Sequence, residues 1–437
     1  MNNKLIFWSV TVGLGGFLFG LDVAVISGAE QAIQKLWNLS DWMHGTAIAM
    51  ALYGTAFGAA FGNIPANKIG RKKSLIWIGI LFFISSIGAA LAQDVNTFMV
   101  FRFISGLSIG ASSVVAPVYI SEIAPPKFRG RMVISFQLNI VAGILVAYYS
   151  NFLLRGVGGD NDWRWMLGVV AIPSLLFSAL MLLVPETPRW LLLFKQDEAT
   201  AKKVLALTET NTDIIIQQIK ASATTVKESL FNKKFYKPLL LAFLLAFFNQ
   251  MSGINAIIYF APKVFEMVGI ARDGALLSTV GIGIVNLLFT IAGWLLIDKF
   301  GRRTLLFIGS IGYIVSLALI AWSFYNGSNQ FIVYYVFLFI AAHAIGQGAV
   351  IWVFISEIFP NAVRAAGTSF GCLTHWVFAA FIAQVFPFFA NNPSIGGAKI
   401  FGFFCVMMVL QLVFVWQLMP ETKGIALEDM DKPIVMH

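Results

Sequence analysis

The sequence predicts an all-α membrane protein: twelve transmembrane helices in two pseudo-symmetric six-helix halves. Three observations carry this. Of 437 residues, 58% are hydrophobic and only 12% charged, a composition outside the range of soluble globular chains. The segments 75–92, 132–154, 239–262 and 400–420 are long apolar runs without a charge. Each is long enough to cross a hydrocarbon core of about 30 Å as a helix. The third observation is an internal repeat. Val118-Tyr119-Ile120-Ser121-Glu122-Ile123 returns as Val353-Phe354-Ile355-Ser356-Glu357-Ile358, 235 residues on (353 against 118). Pro125 and Arg129 recur as Pro360 and Arg364, and Pro185-Glu186-Thr187 as Pro420-Glu421-Thr422. Asn67-Lys68-Ile69-Gly70-Arg71-Lys72 recurs as Asp298-Lys299-Phe300-Gly301-Arg302-Arg303. Separated matches in one order define two homologous halves, and repeats of this kind in a very apolar chain point to a transporter.

Apolar segments begin near Leu5, Met43, Leu75, Phe98, Met132 and Trp165 in the first half. In the second they begin near Leu239, Ala275, Thr304, Phe331, Ala365 and Ile400. The expected organisation is a six-helix bundle over 1–188, a linker over 189–236, a second bundle over 237–422 and a tail over 423–437. The linker has periodic apolar positions (Val204, Leu205, Leu207; Ile214, Ile215, Ile219), which predict short amphipathic helices. The first apolar segment is long, contains Asp22 and lacks a clear cleavage site, so it reads as a retained helix.

The net charge is +9, but most of the 30 Lys and Arg fall on one set of alternate loops and the termini. That asymmetry sets orientation, with basic loops and both termini in the cytoplasm, and argues against a nucleic-acid partner. Cys372 and Cys405 fall in apolar segments, giving neither a disulfide framework nor a metal site. No nucleophile elbow or phosphate loop is present, so an enzyme is not expected. No metal or cofactor is expected beyond a proton.

Within the spans one acid and one base remain, Asp22 and Arg102. A lone charge at the bilayer centre costs about 2.5–3.5 kcal/mol on insertion scales, so the two are expected to face the bundle interior and each other. A carboxylate that alternates between paired and unpaired surroundings can take a proton on one side and release it on the other. Gly20-Leu21-Asp22 corresponds to Gly253-Ile254-Asn255, so this position is charged in one half and neutral in the other. The alternative is a pair that only locks helix one to helix four.

Amides that donate and accept side by side, and flat aromatic faces, also stand inside the spans, where together they can hold a ligand that is part polar and part apolar. Gln137 in helix five, Asn249, Gln250 and Asn255 in helix seven and Asn286 in helix eight supply the first; Trp352 and Trp376 supply the second. Gly253 is a candidate bending point. For any single amide the alternative is an interhelical hydrogen bond. Arg71, Arg129, Glu122 and Glu186 are echoed by Arg302, Arg364, Glu357 and Glu421. At helix ends these can form bidentate Arg–carboxylate bonds between the bundles, a cytoplasmic gate that breaks as the halves rock.

The chain resembles the sugar porter family of the major facilitator superfamily over nearly its whole length. The carriers are Gly70-Arg71-Lys72, Gly301-Arg302-Arg303, Arg102, Glu122 with Phe128-Arg129-Gly130, Pro185-Glu186-Thr187-Pro188-Arg189, Gln250-Met251-Ser252-Gly253-Ile254-Asn255 and Pro420-Glu421-Thr422-Lys423-Gly424. The major facilitator fold, with its inverted repeats, comes with the resemblance. So does a sugar pocket at Phe19, Gln137, Gln250, Asn255, Asn286, Gly348, Trp352 and Trp376, with Tyr259 at an outer gate. Proton-coupled members have Asp at the Asp22 position. The sequence departs from the family at Asn67-Lys68, at Asn249 (a usual Gln), at His343 and His375, and in helix ten, which lacks the usual prolines. The implied activity is import of a monosaccharide, pentose or hexose, with a proton. A facilitative uniporter and a non-transporting sugar sensor are the alternatives. The expected setting is the lipid bilayer of a plasma or bacterial inner membrane, as a monomer.

Overall fold

The computed structural model describes residues 3–125, 129–207, 211–222, 229–327, 330–360 and 363–423; of 129–131, 133, 134 and 222 only the backbone is described. Among the described residues, apolar helices long enough to span a membrane number eleven, or twelve when Asp41–Phe61 and Asn63–Ile69, bent by 48°, count as one. We number them as spans. Span 1 is Asn3–Leu36, span 2 Asp41–Phe61 with Asn63–Ile69, span 3 Arg71–Leu91, span 4 Val95–Ile123, span 5 Arg129–Leu154 and span 6 Gly159–Leu182. Span 7 is Lys233–Glu266, span 8 Arg272–Phe300, span 9 Arg302–Asn326, span 10 Ile332–Glu357, span 11 Arg364–Ala390 and span 12 Gly396–Gln417. Most begin a few residues before the apolar runs, because polar first turns and caps extend the helix past its hydrophobic stretch. At span 4, for example, Asp94 accepts the N–H groups of Asn96 and Thr97 at 3.0 and 2.9 Å. The Thr97 N–H and hydroxyl, with the Asn96 N–H, hold its carboxyl below the usual carboxylate range.

The chain forms two compact units. The first comprises Met1–Val25, Met50–Ala147 and Gly156–Val226; the second comprises Ile26–Ala49, Tyr148–Arg155 and Lys227–His437. The second unit therefore includes the last residues of spans 1 and 5 and the first residues of span 2.

Within the first unit, small residues let backbones touch. A Cβ on Gly106 would lie 1.9 Å from the Ala51 carbonyl oxygen, and one on Gly110 would lie 2.1 Å from that of Thr55. Gly54 and Gly58 on span 2 face span 4 in return. Such stripes supply close van der Waals packing where lipid removes the hydrophobic drive between helices.

Span 7 breaks at Gly253, whose φ of +82° interrupts the helix between Met251 and Ile254. Phe260, two residues before Pro262, is also non-helical at φ −125°. Span 10 lacks prolines but carries a π-helical turn over Ala344–Gly348. A Cβ on Gly346 would lie 2.9 Å from the Gly309 Cα. The glycines thus permit a contact with span 9, and the wider turn provides the irregularity that proline provides elsewhere.

In the linker, helices Pro188–Leu193, Glu198–Leu205 and Thr212–Ser222 enclose a core of Leu191, Leu192, Ala201, Val204, Leu205 and Ile216. Leu207 and Ile214, expected on the apolar faces, are exposed at 38% and 54%. Ile216 takes the buried position, because the helix starts at Thr212 and this sets the phase of its inward face.

Candidate functional site

Asp22 sits inside span 1 at 2% exposure, and Arg102 inside span 4 at 1%. Arg102 Nη1 donates to Asp22 Oδ2 at 3.0 Å. The pairing expected from the two charges is therefore present. Gly20 fixes the height of Asp22: a Cβ there would lie 1.8 Å from the Ile140 carbonyl oxygen, so span 1 rests directly on span 5. Arg102 Nε and Nη2 make no hydrogen bond among the described residues. The single contact leaves the carboxylate separable from its partner without dismantling a larger network.

The second unit carries a chain of amides. Asn255 Nδ2 donates to Gln250 Oε1 at 2.6 Å, and Gln250 Nε2 donates to Asn249 Oδ1 at 2.7 Å. Asn249 Nδ2 donates to Gln347 Oε1 at 3.3 Å, Gln347 Nε2 to Gln411 Oε1 at 2.7 Å and Gln411 Nε2 to Ser310 Oγ at 2.8 Å. This relay ties spans 7, 10, 12 and 9 together. Asn249, with its shorter arm, still completes it. Gln347 and Gln411 are members that sequence reading missed. Isolated glutamines in apolar runs show their partner only when the helices are packed.

His375 lies 3.2 Å from Gln250 Nε2. Its ring centroid is 4.8 Å from Trp352 and 4.7 Å from Trp376, and the two indoles stack at 6.4 Å. Amides and flat aromatic faces therefore meet on one side of the second unit, which is the chemistry a sugar ring requires. Asn286 accepts the Thr290 hydroxyl at 3.4 Å. Tyr259 is fully buried. Gly348 lies over His343, where a Cβ would be 3.2 Å from its carbonyl oxygen. His343 pairs through Nδ1 with the Tyr313 hydroxyl. In the first unit Phe19 is buried, and Gln137 is half-buried with no hydrogen bond among the described residues.

The charged motifs at the helix ends form two matching clusters, one per half. In the first, Glu186 accepts the N–H groups of Arg71 at 3.1 Å, Lys72 at 3.1 Å and Thr187 at 2.9 Å. Arg71 Nη2 donates to Glu122 Oε1 at 3.2 Å, and Thr187 Oγ1 donates to Glu122 Oε2 at 2.7 Å. In the second, Glu421 accepts from the N–H groups of Arg302 at 2.9 Å and Arg303 at 3.0 Å. Arg302 Nε and Nη2 grip Glu357 at 3.1 and 2.9 Å, and Thr422 Oγ1 donates to Glu357 at 2.6 Å.

Each glutamate after span 6 or 12 thus caps the start of span 3 or 9, where free N–H groups and the helix dipole favour an anion. Gly70 and Gly301, at φ +102° and +87°, make room: a Cβ would come within 2.1 Å of Glu186 Oε2 or 2.4 Å of Glu421 Oε2. Burial pushes the Glu186 carboxyl above its ordinary range, opposed by the N–H groups of Thr187, Lys72 and Arg71 and by the Arg71 charge.

These bonds correct one expectation. The Arg–carboxylate pairs formed by Arg71 and Arg302 close inside each half, not between halves, because Arg71 opens span 3, Glu122 lies in the last turn of span 4 and Glu186 follows span 6 of the same bundle. Arg364 Nε donates to the Phe359 carbonyl at 3.0 Å. The Arg129 side chain lies outside the described residues. Where Asp298 adds a 3.2 Å contact to Arg302, its counterpart Asn67 offers its carbonyl to Trp190 Nε1 at 2.8 Å.

A family model described as "Sugar (and other) transporter" matches residues 8–433. The arabinose-proton symporter of Bacillus subtilis is 36% identical over 439 residues, covering 97% of this chain and 94% of that protein. The D-xylose-proton symporter of Escherichia coli is 33% identical over 470 residues, covering 98% and 96%. The E. coli xylose transporter, solved in a partially occluded inward-open conformation, superposes with a TM-score of 0.86 at 31% identity over 97% of this chain and 99% of its own. The spans, the repeated Arg–Glu–Thr clusters and a match running almost end to end make this chain a member of the sugar transporter family, with the major facilitator fold.

Proposed function

We propose that this multi-pass membrane protein imports a monosaccharide, a pentose or hexose, together with a proton by alternating access. Asp22 is the proton carrier and Arg102 its counter-charge. The observation that carries the proposal is the buried Asp22–Arg102 contact at 3.0 Å, in a chain similar over nearly its full length to arabinose- and xylose-proton symporters. The amides Asn249, Gln250 and Asn255, with Trp352, His375 and Trp376, form the sugar-facing wall of the second unit. Phe19 and Gln137 serve from the first unit, with Asn286, Gly348 and Tyr259 completing the site.

Protonation of Asp22 weakens its hold on Arg102 and removes a buried charge, so the proton and the conformational change are linked. One charge crossing 100 mV is worth about 2.3 kcal/mol, close to fiftyfold accumulation. Both termini lie in the cytoplasm, the setting is a plasma or bacterial inner membrane, the working unit is a monomer, and no cofactor acts beyond the coupling proton. The basic loops support that orientation.

The test is uptake of a panel of labelled pentoses and hexoses into liposomes holding purified protein under an imposed pH gradient. Accumulation above the outside concentration, abolished by a protonophore, is the expected result. Equilibration without accumulation would make the chain a uniporter.

A further inference from the structure

Two titratable groups with no part in the mechanism above lie against each other at the far ends of spans 1 and 2. Glu30 follows Asp22 by about two turns of span 1 and is 0% exposed; His44, in the first turn of span 2, is 2% exposed. His44 Nε2 lies 2.9 Å from Glu30 Oε2. Neither carboxyl oxygen of Glu30 and neither ring nitrogen of His44 makes an aligned hydrogen bond among the described residues, so the two groups meet by proximity alone. The contact is roofed within the second unit by spans 7 and 11. The His44 ring stands edge-on to Phe260 at 6.0 Å, and Phe386 and Pro387 complete a small cavity. Span 2 is pressed on span 11 at this level: a Cβ on Gly45 would lie 1.9 Å from the Gln384 carbonyl oxygen, and Gln384 Nε2 donates to Thr46 at 3.2 Å.

Among the described residues, His44 is the one basic group within ion-pair distance of Glu30. On span 7, Lys263 borders the cavity, and Glu266 is the last residue of that span. Arg272 opens span 8. Asp41 on span 2 is bonded to Gln34 and Asn391. Span 11 presents only uncharged groups to the cavity.

A buried carboxylate beside a neutral imidazole is an unpaired charge, which burial penalises heavily. The same two groups holding one proton between them carry no net charge. Water that enters the site solvates the carboxylate, so the burial penalty that holds the shared proton acts only while the pair is dry. We propose that Glu30 and His44 form a second proton-binding site, filled when the outer ends of spans 1 and 2 close on spans 7 and 11. The inference rests on the alternating-access reading and its orientation. The proton comes from the outer water on closure and returns to it on opening. The pair therefore makes outer closure pH-dependent without adding to the protons moved per sugar, which remain the task of Asp22.

The experiment is sugar counterflow in liposomes at equal pH on both sides, from about pH 6.5 to about pH 8.5. Each protein's rate is normalised to its own value at the acid end. For the unsubstituted chain, the rate should fall about fivefold or more across this range, as a one-proton linkage requires. In Glu30→Gln and in the double substitution Glu30→Gln/His44→Gln, which need no proton to bury the pair, the alkaline fall should shrink to under about twofold. In His44→Gln the fall should begin at lower pH, since Glu30 must then take the proton alone. The double substitution keeps both polar side chains and leaves no charge to bury, so it serves if either single change fails to fold. Profiles that coincide in all four proteins would overturn the proposal while leaving transport intact. No counterflow by the unsubstituted chain with any sugar of the panel would remove the transporter reading, and this inference with it.

Discussion

Asp22 and Asn255 occupy equivalent positions in the two halves but bond differently. Asp22 meets Arg102 across 80 residues of chain at 3.0 Å, whereas Asn255 donates at 2.6 Å to Gln250 of its own span. The ionic contact joins two spans of the first unit; its neutral counterpart joins the two sides of the break at Gly253. One scaffold therefore holds a charge-handling device in one half and part of an amide wall in the other.

Removing only Arg102 leaves the Asp22 carboxylate buried without its partner. Arg102→Leu should destabilise by about 3–5 kcal/mol, and Asp22→Asn in the same chain should restore much of the loss. Thermal unfolding in detergent of the single and double substitutions checks this. Equal melting temperatures for the two would mean that the pair is not an ionic one.

Gly253 cannot be replaced quietly. Its φ of +82° is the left-handed region, and a Cβ would lie 2.4 Å from the Phe404 ring. Gly253→Ala should cost at least about 1–2 kcal/mol and slow counterflow, because span 7 loses its break. A melting scan and a counterflow rate on the same preparation report both effects.

Gln250 touches Asn249, Asn255 and His375 at once. Gln250→Ala unties three neighbours and should weaken sugar binding by about tenfold or more, as loss of one or two buried hydrogen bonds implies. Titrating the fluorescence of Trp352 and Trp376 with the transported sugar measures it.

The Glu186 cap makes a two-part prediction. Glu186→Ala strips an acceptor from the N–H groups of Arg71, Lys72 and Thr187 and should cost about 1–3 kcal/mol. Burial holds the Glu186 carboxyl above its ordinary value in the folded protein, so the folded state keeps this proton where the unfolded state has lost it. The stabilisation from that proton is complete below the ordinary glutamate value and lost as pH rises through the raised one. Relative to Glu186→Gln, the unsubstituted chain should lose melting temperature as pH rises through this window.

Much of this was legible in the sequence for a specific reason: charges, amides and glycines are rare in membrane spans, so each stands out. Asp22, Arg102, the helix-seven amides and the repeated Arg and Glu motifs could all be found on that ground. Their partners could not. Thr187 and Thr422 looked like parts of a motif, and only packing shows their hydroxyls bonded to Glu122 and Glu357 at 2.7 and 2.6 Å. The Arg71 and Arg302 bonds were expected across the halves and lie inside each, because a helix-end arginine finds the nearest carboxylate of its own bundle. The π turn at Ala344–Gly348 accompanies a close approach to Gly309, which sequence spacing does not encode. Glu30 and His44 passed unnoticed because both stand near helix ends, where charges are ordinary.

The most direct test of proton coupling compares two assays on Asp22→Asn in liposomes. One is accumulation of the transported sugar under an imposed pH gradient; the other is counterflow with no gradient. Loss of accumulation with counterflow retained is the result predicted for a proton carrier. Accumulation equal to that of the unsubstituted chain would contradict the account and reduce Asp22–Arg102 to a structural contact.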